Sequence, residues 1–395
     1  MTGKTNTKFI RNLIILILIF AAGVLVGGKN PGILDNLDSN RTTQNSSLPN
    51  RLDYSGVEEV YSKLRANFDG QLDQKKLEDG LKQGLVNAAG DPYTEYLNAQ
   101  DTKDFNDELN GTFEGIGAEL GKKDQSIVIV SPIAGFPAAK AGLKPKDVIS
   151  DINGQSAFDI SISEAVQKIR GPKGSKVKLG VIRDGKKLEF SITRAKITVP
   201  SVSEKVVGGV GVIKIIRFGD DTVNLARKYA NDLNSKHVKG VVLDLRGNPG
   251  GLLDAAVGVS SLWLDKGDTV LQEKRGGIVE KTYFAEGNPV LGGIPTVVLI
   301  DAGSASASEI TAGALHDNGV ATLIGTKSYG KGSVQEVLNL DDGGELKVTV
   351  ARWYTPKGRN IDKEGIKPDK TVKFTQADSK AGRDPQQDAA IQNLK

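Results

Sequence analysis

A serine-rich segment and a glycine-bracketed lysine lie close together in this sequence, between positions 301 and 335. Ser306 stands in the run GSASASEI, which follows a predicted strand and opens a predicted helix. A serine at a helix N-terminus is surrounded by free N–H groups that can hold a developing oxyanion. The small side chains of Ala305 and Ala307 would let a substrate backbone approach closely. The segment therefore has the residue types for nucleophilic attack by a serine hydroxyl.

A structural role for the same serine stays open at this level. Ser306 and Glu309 have the S-x-x-E spacing of a capping box, in which the serine satisfies the first amides of a helix. Local sequence alone does not separate a capping serine from a nucleophile, and one residue can serve both purposes.

A serine nucleophile needs a base, and the chain has only two histidines, His237 and His316. His316 lies roughly 15 Å from Ser306 along the same predicted helix, at the standard helical rise per residue. His237 precedes a predicted strand and so lies near the wrong end of the sheet. A lysine can act instead when burial lowers its pKa toward neutrality. Lys331, between two glycines, is the candidate base, although a surface turn would also accommodate it; Lys327 is expected to be solvated.

The residues around Lys331 also resemble a phosphate-binding loop. The segment from Gly325 to Gly332 nearly matches the pattern G-x-x-x-x-G-K-[ST], which would imply nucleotide binding. However, Gly332 stands where a magnesium-binding hydroxyl is required, and residues 333–340 have the pattern of a strand. A phosphate-binding loop opens a helix, so nucleotide binding is the less favoured hypothesis.

Whole-chain composition excludes several classes of site. With no cysteine among 395 residues, disulfides, thiolate nucleophiles and sulfur-based zinc sites are excluded, and two histidines are too few for a histidine-rich metal cluster. The 52 basic and 48 acidic residues nearly balance at a net charge of +4, which predicts no nucleic-acid partner. We expect no metal and no cofactor. A chain of this length is expected to form two or three domains.

The N-terminal residues have the pattern of a membrane-targeting segment. Basic residues precede the apolar run from Leu13 to Val26. The run is short for a spanning helix and no clear cleavage site follows it, which favours an uncleaved signal anchor over residues 1–28 above a cleaved signal peptide. Either alternative exports the rest of the chain, as a protein anchored in the cell membrane or as a secreted or periplasmic one. Residues 29–52, rich in Asn, Ser and Asp, are typical of a linker.

A helical region and a small β domain are predicted next. Apolar residues recur at helical spacing between Val57 and Val86, which predicts two helices within a helical region at 53–108. From 109 to 197, short β-type runs alternate with turns, Asp184-Gly185 gives a hairpin signal, and Ser161 caps a single helix. This order of elements resembles a PDZ domain, which binds a peptide C-terminus as an added strand.

The remaining chain predicts an α/β core with a largely parallel sheet, because apolar strand runs alternate with helical segments over residues 198–376. The predicted elements are, in order, Val210–Ile216, Thr222–Leu233, Gly240–Leu245, Leu252–Leu264, Thr296–Ile300, Ser306–Asp317, Ala321–Ile324 and Glu345–Tyr354. Functional residues of such sheets collect after the carboxyl ends of strands, so the loops 246–251, 301–308 and 325–335 are expected to converge. Residues 377–395 are expected to form a polar, frayed tail.

Several motifs together resemble one protein family. They are DPYTEYL from Asp91, DLRGNPGG from Asp244, GSASASEI, GALHD, YGKGSVQ, and TPKGRNIDKEGIKPD from Thr355. In this order and spacing, the chain resembles the C-terminal processing peptidases, or tail-specific proteases, over nearly its whole length after the linker. The resemblance implies a multidomain α/β serine endopeptidase with a Ser-Lys catalytic pair and a PDZ domain that captures the C-termini of substrate proteins. A catalytically silent PDZ-containing scaffold is the alternative.

The family's catalytic side chains carry over by position. The resemblance implies that Ser306 is the nucleophile and that Lys331 is the general base. Gln335 matches the glutamine that orients the lysine amine in several members. Asp317 matches a helix-end aspartate and is expected to support the structure near the site.

Backbone groups complete the implied catalytic site. The N–H groups of Ala307 and of Gly250 or Gly251 would form the oxyanion hole. The run Asn248-Pro249-Gly250-Gly251 would also form a turn before a helix in any protein, so the glycines have a structural explanation as well.

The resemblance also assigns residues in the PDZ-like region. The loop Gly115-Ile116-Gly117-Ala118 would receive the carboxylate of the substrate, although an ordinary turn would explain its glycines equally. Arg170 matches an arginine that relays peptide binding toward the active site in related enzymes, and a basic residue on the last turn of a helix is also favoured by the helix dipole. The family often forms dimers through terminal helices, which makes Val57 to Val86 a candidate homodimer surface.

Overall fold

The computed structural model describes residues 48–395 except 124, 125 and 159. The chain divides into two compact units, one that ends at Gln74 and one that begins at Lys75. In the first unit, helix α1 (Ser55–Asn67) buries none of its residues. Its apolar Val60, for example, is 66% exposed. The predicted membrane segment at 1–28 lies outside the described residues. Within residues 48–395 as described, no helix is both long and apolar enough to cross a membrane.

The second unit starts with a short helical part. Its elements are α2 (Gln74–Asn87), which belongs to this unit from Lys75 onward, β1 (Glu95–Leu97) and α3 (Ala99–Leu109). Helix α3 begins where the side chain of Asn98 accepts hydrogen bonds from the amides of Gln100 and Asp101, as expected of an N-cap. The two helices predicted between Val57 and Val86 are thus present as α1 and α2.

The β-rich region that follows has the predicted order of elements. They are β2 (Thr112–Gly115), β3 (Ala118–Lys123), β4 (Ser126–Pro132), α4 (Pro137–Lys140), β5 (Val148–Ile152), β6 (Gln155–Ser156), α5 (Ile162–Ile169), β7 (Lys176–Arg183), β8 (Lys186–Thr193) and β9 (Ala195–Thr198). Six strands form a sheet in the order β3-β4-β5-β7-β8, with β6 also paired to β5, and β3 is an edge strand. Asp184 and Gly185 both have positive φ, which the predicted two-residue hairpin turn requires. The capping box of Ser161 and Glu164 is also present.

The C-terminal part of the unit is built on two sheets. Its elements are β10 (Val202–Val207), β11 (Val210–Ile215), α6 (Thr222–Ser235), β12 (Val241–Asp244), α7 (Leu253–Ser260), β13 (Thr269–Arg275), β14 (Ile278–Phe284), β15 (Thr296–Ile300), α8 (Ala307–Asp317), β16 (Ala321–Gly325), β17 (Ser333–Asn339), β18 (Glu345–Tyr354), β19 (Lys370–Thr371), α9 (Gln376–Lys380) and α10 (Pro385–Asn393). The first sheet has the order β10-β11-β12-β15-β16-β19 and is parallel from β11 onward. All residues of β12 and β15 are buried, which explains their continuous apolar runs.

The second sheet is antiparallel and corrects one prediction. The strand Glu345–Tyr354, predicted in the parallel sheet, lies instead in a sheet of order β1-β18-β13-β14, with β17 also paired to β18. Its alternation of polar and apolar residues is typical of a strand with one face on the core. The hairpin of β13 and β14 was not predicted. Charged residues interrupt the apolar pattern of both strands, and β14 is largely exposed.

The C-terminal residues correct a second prediction. In place of the frayed tail expected over 377–395, helix α10 buries Ala389, Ala390 and Ile391 in one cluster with residues of β12 and β15. The guanidinium of Arg246 donates two hydrogen bonds of 2.9 Å to the carboxylate of Asp384 at the start of this helix. The buried face consists mainly of alanines, which give little apolar periodicity in the sequence.

Candidate active site

Three loops meet at the carboxyl end of the parallel sheet, as predicted. They follow β12, β15 and β16, which are neighbours in the sheet. Together with β17 and β18 they line a cavity of about 370 Å³. The lining includes Ser306, Lys331, Gln335, Gly250 and Gly251. The fold therefore brings into one cavity the predicted catalytic side chains, which are up to 29 positions apart in the sequence, and the two glycines.

Ser306 occupies the turn between β15 and α8 in an unusual backbone conformation. Its φ is 52° and its ψ is −117°, in a region that residues with a Cβ rarely adopt. Such strained conformations cluster at active sites, where the surrounding structure holds them in place. The carbonyl oxygen of Asn248 accepts hydrogen bonds from the amide of Ala305 and the hydroxyl of Ser308, each 3.0 Å long. These bonds fix the turn to the loop that follows β12.

The backbone of Gly250 packs directly against this turn. A Cβ on Gly250 would lie 2.8 Å from the Cβ of Ser306 and 2.7 Å from the carbonyl oxygen of Ala305, so only glycine fits. The N–H of Gly250 already donates to Oδ1 of Asn248 at 2.9 Å. Among the hydrogen bonds formed between described residues, none uses the N–H of Gly251 or of Ala307. Of the two predicted glycines, Gly251 thus has the free donor.

Lys331 lies in the loop between β16 and β17 and is half-buried. Its Nζ is 5.1 Å from the centre of the Tyr93 ring, and its carbonyl oxygen accepts a hydrogen bond of 2.8 Å from the Trp353 indole. Burial lowers the pKa of the Lys331 amine, and the positive charge of Lys347 lowers it further, although nearby carboxylates oppose this shift. Within the described part of the chain, no hydrogen bond joins this amine to Ser306. The direction of this pKa shift is the one that a lysine acting as a general base requires.

Glu309 connects the serine turn to the lysine loop. Its buried carboxylate accepts hydrogen bonds from the amides of Ser306 (2.9 Å), Gly330 (2.7 Å) and Lys331 (3.0 Å), and from the hydroxyl of Ser328 (2.5 Å). Burial raises the pKa of this carboxyl group, which the four donors oppose. The sequence indicated only its capping-box partner, because the contacts with 328–331 are made by residues about twenty positions away.

Gln335 lines the cavity but has other partners than the lysine. Its Nε2 donates to the hydroxyls of Ser333 (2.8 Å) and Thr349 (3.2 Å). The Thr349 hydroxyl in turn donates to the carboxylate of Asp91 at 2.5 Å. No hydrogen bond between the side chains of Gln335 and Lys331 occurs in the described structure.

Asp317 lies at the opposite end of α8 from Ser306, outside the cavity. Its fully buried carboxylate accepts hydrogen bonds from the guanidinium of Arg359 (2.7 Å) and the amide of Lys357 (3.1 Å). The neighbouring His316 places its ring nitrogens 3.2 Å from Asp317 and 3.1 Å from Asp369. His316 therefore contacts carboxylates at the C-terminal end of α8, which agrees with the prediction that it cannot reach Ser306.

The predicted peptide loop, Gly115-Ile116-Gly117-Ala118, connects β2 to the edge strand β3. Gly117 has a φ of 75°, and a Cβ there would lie 2.6 Å from the Cβ of Phe136. Arg170, directly after α5, places its guanidinium 4.9 Å from the centre of the Phe113 ring. It lines a separate cavity of about 790 Å³ and does not reach the cavity of Ser306, although Glu108 on α3 lines both.

Two further residues, one packed over the Lys331 amine and one that lines the cavity, were not predicted individually. Tyr93 packs its ring over the Lys331 amine. Lys347 on β18 lies 2.8 Å from the carboxylate of Glu95 and 4.5 Å from the centre of the Phe105 ring. The motif DPYTEYL, which contains both Tyr93 and Glu95, was the available signal in the sequence.

Comparison with known proteins identifies the family. Residues 209–372 match the family model of peptidase family S41, and residues 105–182 match the PDZ domain. The carboxy-terminal processing protease CtpA of Bacillus subtilis (strain 168) is 41% identical over 318 residues, which cover 80% of this chain and 68% of that protein. The chain belongs to the C-terminal processing proteases of peptidase family S41.

Further relatives of this C-terminal processing protease support the same family assignment. A probable CtpA-like serine protease of Staphylococcus aureus (strain COL) is 38% identical over 363 residues, covering 91% of this chain and 70% of that protein. The solved structure of a photosystem II D1 C-terminal processing protease is 28% identical with a TM-score of 0.51, and the match covers 82% of this chain and 87% of that chain. The protein is thus a serine-type processing protease with a PDZ domain, which confirms the prediction from the motifs.

Proposed function

We propose that this protease cleaves peptide bonds by acyl-enzyme chemistry, with Ser306 as nucleophile and neutral Lys331 as general base. The observation that carries the proposal is their shared cavity, in which a strained serine at a helix start accompanies a half-buried lysine of lowered pKa. A neutral amine is needed because an ammonium group cannot accept the serine proton.

The reaction follows from these groups. Oγ of Ser306 attacks the scissile carbonyl carbon while Nζ of Lys331 takes the hydroxyl proton. The N–H groups of Ala307 and Gly251 hold the oxyanion, since the N–H of Gly250 is engaged by Asn248. The Lys331 ammonium then returns the proton to the leaving amine, and water hydrolyses the ester with Lys331 again as base.

Gln335 and Asp317 act on this reaction indirectly in our proposal. Gln335 orients the Lys331 amine through its side-chain carbonyl oxygen, while its Nε2 stays bonded to Ser333 and Thr349. Asp317 anchors the far end of α8 through Arg359. Neither side chain touches the scissile bond.

The walls of the catalytic cavity favour an apolar substrate side chain next to the scissile bond. Most of its side walls are apolar, formed by Phe105, Leu109, Leu252, Leu253, Ile310, Val334, Val337 and Trp353. An apolar side chain that enters such a pocket gains about 1.5–3 kcal/mol from burial. Peptides with Leu or Val at this position should therefore be cleaved faster than those with Asp.

The PDZ domain supplies recognition of the substrate C-terminus in our proposal. A peptide would pair with the edge strand β3, with its carboxylate at the loop 115–118. Arg170 would relay its presence, and Glu108 lies between the two cavities. If the loop reads the carboxylate, amidating a substrate's C-terminus should slow its cleavage; equal rates would remove PDZ recognition from the account.

We further propose an exported, membrane-anchored homodimer. The apolar run from Leu13 to Val26, flanked by basic residues, supports anchoring. The exposed Val60 and Tyr61 on α1 and Leu81 on α2 support self-association. Val60→Lys should convert dimer to monomer in sedimentation, and an extracellular protease should degrade the catalytic part on intact cells.

A cleavage assay tests the catalytic proposal. The purified full chain is compared with its Ser306→Ala and Lys331→Ala variants on an unstructured peptide with a free C-terminus. We expect Lys331→Ala to lose about 10²–10⁴-fold in kcat/KM, the range typical of removing a general base. Ser306→Ala should lose more, on the order of 10⁶-fold, because the nucleophile itself is gone. A wild type no more active than the variants would instead favour the binding-scaffold alternative.

A further inference from the structure

A second lysine, Lys347, lines the same cavity as Lys331. It stands on β18 opposite Glu95 of β1, and its ammonium is 2.8 Å from the Glu95 carboxylate. The same ammonium lies 4.5 Å from the centre of the Phe105 ring, and only 18% of the side chain is exposed. A charged group held in this way has a fixed position relative to the catalytic amine.

Three carboxylates that act on the Lys331 amine, those of Glu309, Asp91 and Glu95, have other partners. Glu309 accepts four hydrogen bonds from the turn and loop it connects. Asp91 accepts hydrogen bonds from the hydroxyls of Thr94 (2.6 Å) and Thr349 (2.5 Å). Glu95 pairs with Lys347. Tyr93 places its ring over the amine, and Glu108 and Arg217 line the same cavity.

Glu95 would be released to act as a counter-ion for Lys331 if Lys347 were absent. An opposite charge within a few ångströms stabilises the protonated form of an amine, and a like charge destabilises it. Lys347 therefore has two effects of the same sign: its own charge opposes protonation of Lys331, and its ion pair occupies the Glu95 carboxylate.

We propose that Lys347 is a positioning residue that keeps Lys331 neutral, by placing a second positive charge in the catalytic cavity and by holding Glu95 in an ion pair. The inference rests on the proposed function, in which Lys331 must be neutral to act. The electrostatics of the site agree in direction: burial is the largest cause that lowers the pKa of Lys331, the Lys347 charge is the next, and Glu95 raises it.

The test is the pH dependence of kcat/KM for the full chain, measured with a peptide that has no titratable side chains. Activity should fall on the acid side as Lys331 becomes protonated. Lys347→Met should move this acid limb to higher pH by about one unit, because a like charge is lost and Glu95 is released. Lys347→Arg, which keeps the charge, should leave the limb near its wild-type position.

Glu95→Gln provides a change of opposite sign. Removing the negative charge should move the acid limb to lower pH, by about half a unit or more. Lys186→Met, which removes a lysine charge from the exposed β7–β8 hairpin, is the matched control for Lys347→Met. It should leave the acid limb at its wild-type pH. Loss of fold alone would lower activity at every pH without moving the limb, and the Glu95→Gln shift tests the inference even if Lys347→Met does not fold.

Three outcomes separate the possibilities. Shifts of opposite sign in Lys347→Met and Glu95→Gln support the inference. An acid limb that does not move in either variant overturns it, while Ser306→Ala and Lys331→Ala remain inactive. Full activity of Lys331→Ala would instead overturn the proposed function itself.

Discussion

The two ends of helix α8 are held by different kinds of bond. At the N-terminal end, the Glu309 carboxylate accepts hydrogen bonds from three backbone amides and one hydroxyl, and it forms no ion pair with any described residue. At the C-terminal end, Asp317 is paired with the guanidinium of Arg359 and contacts His316. The same helix thus has neutral hydrogen-bond donors at the end that carries Ser306 and charged partners at the other end.

The helix dipole explains part of this difference. A carboxylate in the first turn is favoured by the partial positive charge there, so Glu309 needs no cation. A carboxylate in the last turn is disfavoured by the dipole, so Asp317 requires compensating positive charge, which Arg359 supplies. Glu309 therefore holds the backbone of Lys331 by a hydrogen bond and forms no ion pair with the Lys331 amine. An ion pair there would favour the protonated lysine.

Among substitutions that test the comparison between the two ends of α8, the largest effect is expected from Glu309→Gln. Oε2 of Glu309 accepts from Ser306 and Lys331, and Oε1 accepts from Ser328 and Gly330. Whichever way a glutamine amide is placed, one pair of donors loses its acceptor, and the serine turn and the lysine loop separate. Because a misplacement of about 1 Å can cost 10²-fold in rate, we expect kcat to fall by about 10²-fold with little change in KM.

The measurement is steady-state peptide cleavage, with thermal unfolding measured alongside. Glu280→Gln, which removes an acidic charge from an exposed strand, is the matched control and should behave as wild type. If Glu309→Gln unfolds at a lower temperature but keeps its kcat at temperatures where it is folded, the comparison between the two helix ends fails.

A smaller effect, on stability alone, is expected from Arg359→Met. The Arg359 side chain is 47% exposed, so its pairing with the buried Asp317 should contribute only about 1 kcal/mol to the free energy of unfolding. Cleavage by the folded variant should stay within about twofold of wild type, because this end of α8 does not contact the cavity. Urea unfolding measures the change in the free energy of unfolding, and kcat for peptide cleavage measures the activity of the folded variant.

The pH dependence of that stability loss follows from Asp317. Burial raises its pKa, but hydrogen bonds from Thr355 and the Lys357 amide, together with the Arg359 charge, lower the pKa below its ordinary value. A depressed carboxyl pKa adds stability above the unfolded value, about 3.9, and that stability is lost as the pH falls through the folded value. The gap between Arg359→Met and wild type should therefore be full at pH 7 and shrink below about pH 4; a gap that widens in acid would contradict this assignment.

The smallest effect is expected from His316→Gln. The ring contacts Asp317 and Asp369 at the partly exposed end of the helix, so its loss should cost less than about 1 kcal/mol. Cleavage should be unchanged. A large loss of kcat in a folded His316→Gln protein would show that a histidine takes part in catalysis after all.

The sequence predicted the parts of this site that local pattern encodes. Buried apolar runs located the strands, and strand ends located the loops that carry Ser306 and Lys331. The scarcity of histidine led to the lysine, and the motif order led to the family. These inferences need only the chain's own periodicity and the rule that parallel strands present their carboxyl ends together.

Long-range contacts were beyond such reasoning. The S-x-x-E spacing indicated that Glu309 meets Ser306, but its contacts with Gly330 and Lys331 depend on how β16 is placed beside β15. The pairing of Lys347 with Glu95 depends likewise on β1 joining β18, over 252 positions. The sheet to which β18 belongs was mispredicted for the same reason, since a strand's pattern does not specify its partner.

The most direct test of the account is the labelling of Ser306 by a peptidyl fluorophosphonate, followed by intact mass and peptide mapping as the pH is raised. The account predicts a single adduct on Ser306, a labelling rate that rises with pH as Lys331 loses its proton, and a rate about 10²–10⁴-fold lower in Lys331→Ala. Labelling at another residue, or an equal rate in Lys331→Ala, would contradict the Ser-Lys mechanism.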